Sequence, residues 1–165
     1  MMKFLIVQNP EIRKQLRAVS WNQSQVTDCS HYVVFLARDS VTEHDVQKLI
    51  DRMSEVRGVA RESLDGYRNM MISNLVQTPH PDAVGWNKKL TYIAMGFLLE
   101  TAALLKIDSV PMEGLDPKAY DKILGLEGTG YTTAMSVALG YRASDDQYQQ
   151  AKKVRYPEKD LIQFV

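Results

Sequence analysis

Three stretches hold the groups best suited to chemistry. In Trp21-Asn22-Gln23-Ser24-Gln25 the side-chain amides of Asn22, Gln23 and Gln25 crowd into one polar loop. An amide both donates and accepts hydrogen bonds. The loop can therefore read the edge of a pyrimidine-like ring, or stand as a plain surface loop. In Val110-Pro111-Met112-Glu113-Gly114 a long apolar segment stops at a Pro-Gly turn. Near the end, Lys152-Lys153-Val154-Arg155 forms a local basic patch. Read by itself, it is a solvated basic tail before it is an anion site.

Other chemistries lack their residues. Ser20, Ser24, Ser30 and the three histidines show no elbow or triad spacing. No HExxH or EF-hand pattern offers a metal site, and no Walker loop offers phosphoryl transfer. Gly128-Thr129-Gly130 lacks the third glycine and the preceding strand of a dinucleotide fingerprint. Cys29 and His31 can share a strand face, a spacing read as structural. What remains is cofactor chemistry, with the protein orienting a group that brings its own reactivity.

Composition narrows the class further. Lys plus Arg and Asp plus Glu each number 20, so the net charge is zero and the footprint of a nucleic-acid binder is missing. The 165 residues suit one domain, 1–165. The single cysteine, Cys29, forms no internal disulfide, and the expected location is the cytoplasm. The start is too short in apolar residues for a secretory signal, and no segment reads as a membrane span.

The elements that must position these stretches follow from periodicity and caps. Lys3–Val7 reads as a strand. Asn9 and Pro10 open a helix whose apolar face is Ile12, Leu16 and Val19. Arg13, Lys14 and Arg17 fall on its solvated side. His31–Ala37 reads as a strand buried on both faces. Thr42 and Asp45 form a capping box for a helix expected to reach about Leu64. Residues 67–81 read either as a lid over a pocket or as ordinary helix packing. From Asp82 or Ala83 a helix runs to Leu105. It is apolar nearly all round, and so is expected in the core. Asp116-Pro117 starts a short helix to about Gly125, and Thr132–Tyr141 reads as a strand. The apolar end, Leu161 to Val165, needs something to pack on, a second subunit for example.

Taken in order, ALLKIDSVPMEGLDP (103–117), GTGYTTAMSVALGYR (128–142) and KKVRYP (152–157) resemble the nitroreductase family of FMN-dependent NAD(P)H oxidoreductases. KFLIVQNPEIRKQL and WNQSQVTDCSHYVVF, earlier in the chain, fit the same order. The resemblance implies an α+β fold in three α/β/α layers, with a mixed, mainly antiparallel sheet flanked by helices. It implies a homodimer with FMN at its interface. Pro111, Glu113 and Gly114 would lie against the isoalloxazine, with the N–H groups of Glu113 and Gly114 facing N5 and O4. Asn22 would meet the pyrimidine side. Gln25 stands where many relatives carry a lysine. Lys153 and Arg155 would hold the phosphate.

The implied activity is hydride transfer from NADH or NADPH, through flavin N5, to a nitroaromatic, a quinone or a similar small molecule. No side chain acts as a catalytic nucleophile, and no metal, nucleic acid or membrane takes part. The family's usual N-terminal helices, with an Arg-Arg-Ser-type phosphate segment, have no counterpart ahead of Met1, so the domain is expected to be shortened there. The alternative is a shortened, non-catalytic dimeric or partner-dependent protein that binds flavin weakly or not at all.

Overall fold

A computed structural model describes all 165 residues. Its centre is a four-stranded sheet in the order β1-β2-β4-β3. The strands are β1 (Met2–Val7), β2 (His31–Arg38), β3 (Asp108–Met112) and β4 (Tyr131–Gly140). Every pairing is antiparallel, so no parallel pair makes the sheet mixed. β2 lies inside the sheet and is buried along nearly its whole length, as its continuous apolar run predicts.

Alternation along the strands sorts two cores. Tyr32, Val34 and Leu36 point to one face, with Leu16 of α1 (Pro10–Ala18), Val26 of α2 (Gln25–Asp28) and Tyr120 of α6 (Pro117–Ile123). Val33, Phe35, Met135 and Val137 point to the other, under Ala94, Met95, Leu98 and Leu99 of α5 (Ala83–Leu104). These are the three layers implied by the resemblance. A smaller cluster joins Val46 and Ile50 of α3 (Glu43–Arg57) to Met71, the last residue of α4 (Asp65–Met71).

Local chemistry sets the helix starts. The Asn9 side chain accepts from the N–H groups of Glu11 and Ile12, with Pro10 behind it. Thr42 and Asp45 close a reciprocal capping box. Asp116 caps α6. Asp121 on α6 then accepts from the hydroxyls of Thr132 and Thr133 and from the Thr133 N–H, which fastens the helix to β4.

Several expectations are corrected. The helix expected to reach Leu64 ends at Arg57, because Gly58 takes a left-handed φ of 63° and returns its N–H to Ser54. A 3-10 turn (Arg61–Leu64), α4 and a π-helical turn (Ile72–Gln77) follow. Residues 67–77 are thus helical with Met71 buried, and the 67–81 stretch walls two cavities beside α3 and the start of α5. Val110–Met112 belong to β3, leaving Glu113-Gly114 as the turn proper. Pro111 fits there because β3 is an edge strand, with one row of N–H groups left unpaired.

The largest correction concerns α5. Only Asn87, Thr91 and Ala102 are buried on it. Trp86, Ile93, Phe97 and Leu104 stand 46%, 59%, 71% and 76% exposed. The helix lies on the sheet by one face, and a single chain offers nothing to cover the other.

Arg13 also departs from its expected solvated position. It is buried and donates to the carbonyls of Val7, Cys29 and Ser30, pinning α1 to the start of β2. Lys14 does face solvent. Arg17 is half-buried, for a reason given below.

Candidate functional site

The polar loop begins where α1 ends. The Gln23 N–H donates to the Ser20 carbonyl at 3.0 Å, closing a tight turn with Trp21 and Asn22 between them. Both central residues have positive φ, 52° and 54°. That is the type I′ arrangement, normally given to Asn and Gly. A tryptophan there is strained by roughly 1–2 kcal/mol, so the surroundings must hold it.

Three sets of contacts do so. The Arg17 Nε donates to the Asn22 side-chain oxygen at 3.0 Å and to its carbonyl at 3.3 Å. The Arg17 Nη1 reaches the Thr27 hydroxyl on α2 at 3.0 Å. Beneath the turn, Ser20 enters a buried chain of hydroxyls. Ser20 meets Tyr120 at 2.6 Å, Tyr120 meets Tyr32 at 2.8 Å, and Tyr32 meets Ser136 at 2.7 Å.

The direction of that chain is fixed by its end. The Ser20 hydroxyl donates to the Leu16 carbonyl, which can only accept. Tyr120 must then donate to Ser20, Tyr32 to Tyr120, and Ser136 to Tyr32. Burial pushes the ionisation of Tyr32 and of Tyr120 upward, so both stay protonated and the chain stays intact at neutral pH.

The third set crosses to the turn after β3. The Gln23 amide donates to the Gly114 carbonyl at 3.1 Å, and the Gln25 amide donates to the Gln23 oxygen at 3.1 Å. The Asp116 N–H donates to the Val19 carbonyl at 3.0 Å. The indole of Trp21 lies against Gly114, where a Cβ would fall 2.7 Å from the ring. A side chain at 114 would displace the exposed indole and crowd the Gln23 amide, 3.1 Å from that Cβ.

The structure thus unites Asn22, Gln25, Glu113 and Gly114 in one neighbourhood, with Pro111 at the end of the adjoining strand. Gln23, Arg17, Ser20 and Tyr120 also belong to it. Gln23 was visible in the sequence only as one of a run of amides, and nothing in the sequence marked the hydroxyl chain.

Lys153 and Arg155 are not joined to this neighbourhood within the single chain. The exposed segment that carries them follows β4, and the only side-chain hydrogen bond of Arg155 goes to the neighbouring Val154 carbonyl. Cys29 offers no nucleophile, since burial raises its thiol above its ordinary value. No cluster of three or more His, Cys, Asp or Glu residues is placed to hold a metal. No helix is long and apolar enough to cross a membrane.

An antiparallel sheet between two helical layers, with an amide-locked turn at the sheet edge, makes the protein an α+β domain. The Nitroreductase family model matches residues 2–141, and the chain belongs to that family. A proposed NAD(P)H nitroreductase of Staphylococcus saprophyticus is 35% identical over 175 residues, covering 99% of this chain and 76% of the relative. The proposed NAD(P)H nitroreductase YfkO of Bacillus subtilis is 32% identical over 177 residues, covering 99% and 77%. Among solved structures, a nitroreductase-like protein of Streptococcus mutans superposes with a TM-score of 0.80 at 15% identity, covering 99% of this chain and 77% of its own. A proposed nitroreductase of Exiguobacterium sibiricum, solved in complex with FMN, superposes at 0.77 with 18% identity, covering 99% and 76%. Membership places the chain among oxidoreductases.

Two features of the turn suit a flat heteroaromatic ring. The N–H groups of Glu113 and Gly114 find no acceptor elsewhere in the chain, which leaves two successive donors unpaired. Beside them stand the amide of Asn22 and an indole left 83% exposed, while the Gln23 amide is committed to the Ser20 and Gly114 carbonyls. Donors of this kind fit a ring edge that carries a nitrogen and a carbonyl.

Proposed function

We propose that the chain is a homodimeric flavoenzyme that binds FMN at the Glu113-Gly114 turn. It would transfer hydride from NADH or NADPH to a nitroaromatic, a quinone or a similar small acceptor. The carrying observation is the pair of unpaired N–H groups at Glu113 and Gly114, in a turn tied down by the Gln23–Gly114 and Asp116–Val19 hydrogen bonds. The FMN complex of the Exiguobacterium relative supports the choice of ring.

The chemistry supplied when FMN is bound is two-electron transfer at its N5. The chain's own task is to bind and orient. The Glu113 and Gly114 N–H groups would hold the ring edge where electron density rises, which is where a fixed donor is most effective. Asn22 would hold the pyrimidine side, with Gln25 bracing Gln23 behind it. Pro111 stiffens the approach to the turn. Lys153 and Arg155 would serve the phosphate as charge-assisted donors once their segment is docked.

The homodimer is supported by two surfaces. Trp86, Ile93, Phe97 and Leu104 recur at i, i+7, i+11 and i+18, an apolar stripe on the open face of α5 with the exposed Glu100 at its edge. Beyond β4, Tyr148, Val154, Tyr156 and Phe164 are all more than three-quarters exposed. Apolar surface this extensive calls for a partner, and a second copy carries both matching halves.

The purified chain should show the visible band of a flavin. It should bleach under NADH or NADPH without oxygen and recover with a nitroaromatic or a quinone. A colourless protein that FMN cannot reconstitute overturns the proposal. A flavin band that never bleaches points instead to the non-catalytic alternative. A monomer in analytical ultracentrifugation overturns the dimer.

A further inference from the structure

We infer that Arg17 is a positioning residue for the cofactor: it presets Asn22 for the ring before the ring arrives. The inference rests on the proposed flavin site and goes beyond it, because it concerns a side chain that acts on the ring only through Asn22.

Arg17 lies in the last turn of α1 and has no carboxylate partner. A half-buried guanidinium without a counter-ion is costly unless its donors are used. Here two of its three nitrogens are engaged, both by one short segment. Nε is shared between the two oxygens of Asn22, and Nη1 takes Thr27. One fork therefore ties α1, the tight turn and α2 together.

Two consequences follow for Asn22. Its left-handed backbone, φ 54°, is held from outside as well as by the turn bond. Its carboxamide is also oriented. Guanidinium N–H groups only donate, so the side-chain atom facing Arg17 must be the oxygen. The Nδ2 donors are thereby turned away from Arg17, and no protein acceptor takes them. A ligand meeting Asn22 finds an amide whose backbone and rotamer are already set, and loses less freedom on binding. A lysine has one flexible point charge and no planar fork, so it cannot reproduce this shared contact.

The test is a double-mutant cycle on FMN affinity, read by flavin fluorescence, with urea unfolding of each flavin-free variant alongside. Arg17→Met and Asn22→Ala should each weaken FMN binding about 10-fold. The double variant should also lose about 10-fold, because Arg17 acts only through Asn22. Arg17→Lys should behave like Arg17→Met. Losses that multiply to about 100-fold, or rescue by Arg17→Lys, would mean a general electrostatic role and would overturn the inference. Unchanged affinity in Arg17→Met overturns it while leaving the flavin site standing. Failure of the parent chain to bind FMN overturns the proposed function and this inference together.

Discussion

The turn region and the basic segment, assigned to opposite ends of one cofactor, are held in opposite ways. Gln23 and Gly114 are 91 residues apart in sequence, yet their hydrogen bond is one of several that lock the first end, above a fully buried hydroxyl chain. Lys153 and Arg155 sit in a segment whose hydrogen bonds are local and whose apolar side chains face outward. One end is organised by the fold of the single chain. The other has the chemistry for a phosphate but no framework within that chain. Donors that must meet a ring edge need fixed geometry, whereas a phosphate can be met by long side chains after docking.

Breaking the partner surface should have the largest effect. Phe97→Glu sets a charge in the middle of the α5 stripe. It should weaken self-association at least 1,000-fold, about 4 kcal/mol, as read by sedimentation. FMN retention should fall with it, while far-ultraviolet circular dichroism stays unchanged. If FMN binds equally well to the resulting monomer, the loose end needs no partner.

Removing the cations should come next. Lys153→Ala with Arg155→Ala should weaken FMN binding about 100-fold, from the loss of two charge-assisted bonds. The urea midpoint of the flavin-free chain should not move, because neither side chain supports the fold. Riboflavin, which lacks the phosphate, should bind parent and variant alike.

At the locked end the pattern should invert. Tyr120→Phe leaves the buried Tyr32 hydroxyl hydrogen without its acceptor and should destabilise the chain by about 1–3 kcal/mol. That loss should appear in urea unfolding with no FMN present. An unchanged midpoint would show that the hydroxyl chain contributes nothing to the rigidity of the turn.

A smaller effect lies at the rim of α3. Burial alone would raise the Asp45 carboxyl, but the Thr42 hydroxyl and N–H, with Arg38, outweigh it and hold the group below its ordinary value. Its stabilising effect is present above the unfolded carboxylate value of about 3.9. It is lost as pH falls through the lower folded value. Asp45→Asn should flatten that part of the acid unfolding curve and leave FMN affinity at neutral pH untouched.

The smallest expected change is favourable. Lys106 follows α5 with a left-handed φ of 58°, on the path into β3 and the turn. Lys106→Gly should stabilise the chain by about 0.5–1 kcal/mol, seen as a raised urea midpoint. If the substitution weakens FMN binding, that strain helps to place the turn.

Much of the frame was legible because local rules wrote it. The caps at Asn9, Thr42 and Asp116 stand where side-chain chemistry puts them. The buried run of β2 and the alternation of β4 sort their residues to the faces expected. Gly58 was the overlooked stop signal in α3, since apolar periodicity continued past it. α5 was misread for a different reason. A helix apolar on all sides reads as buried, but periodicity does not say whether its cover comes from the same chain.

The sequence by itself determined most of the strands and helices, the caps at Asn9, Thr42 and Asp116, the family and the residue types offered to a cofactor, because each depends on near neighbours or on the order of motifs. Tertiary structure decided that Gln23, Arg17, Ser20 and Tyr120 belong with Asn22 and Gly114, since those contacts join segments up to 100 residues apart. It also decided which face of α5 stays open and that the basic segment stands clear of the turn. Hydrogen-bond direction, burial and strain are properties of atoms brought together in space, and no spacing along the chain contains them.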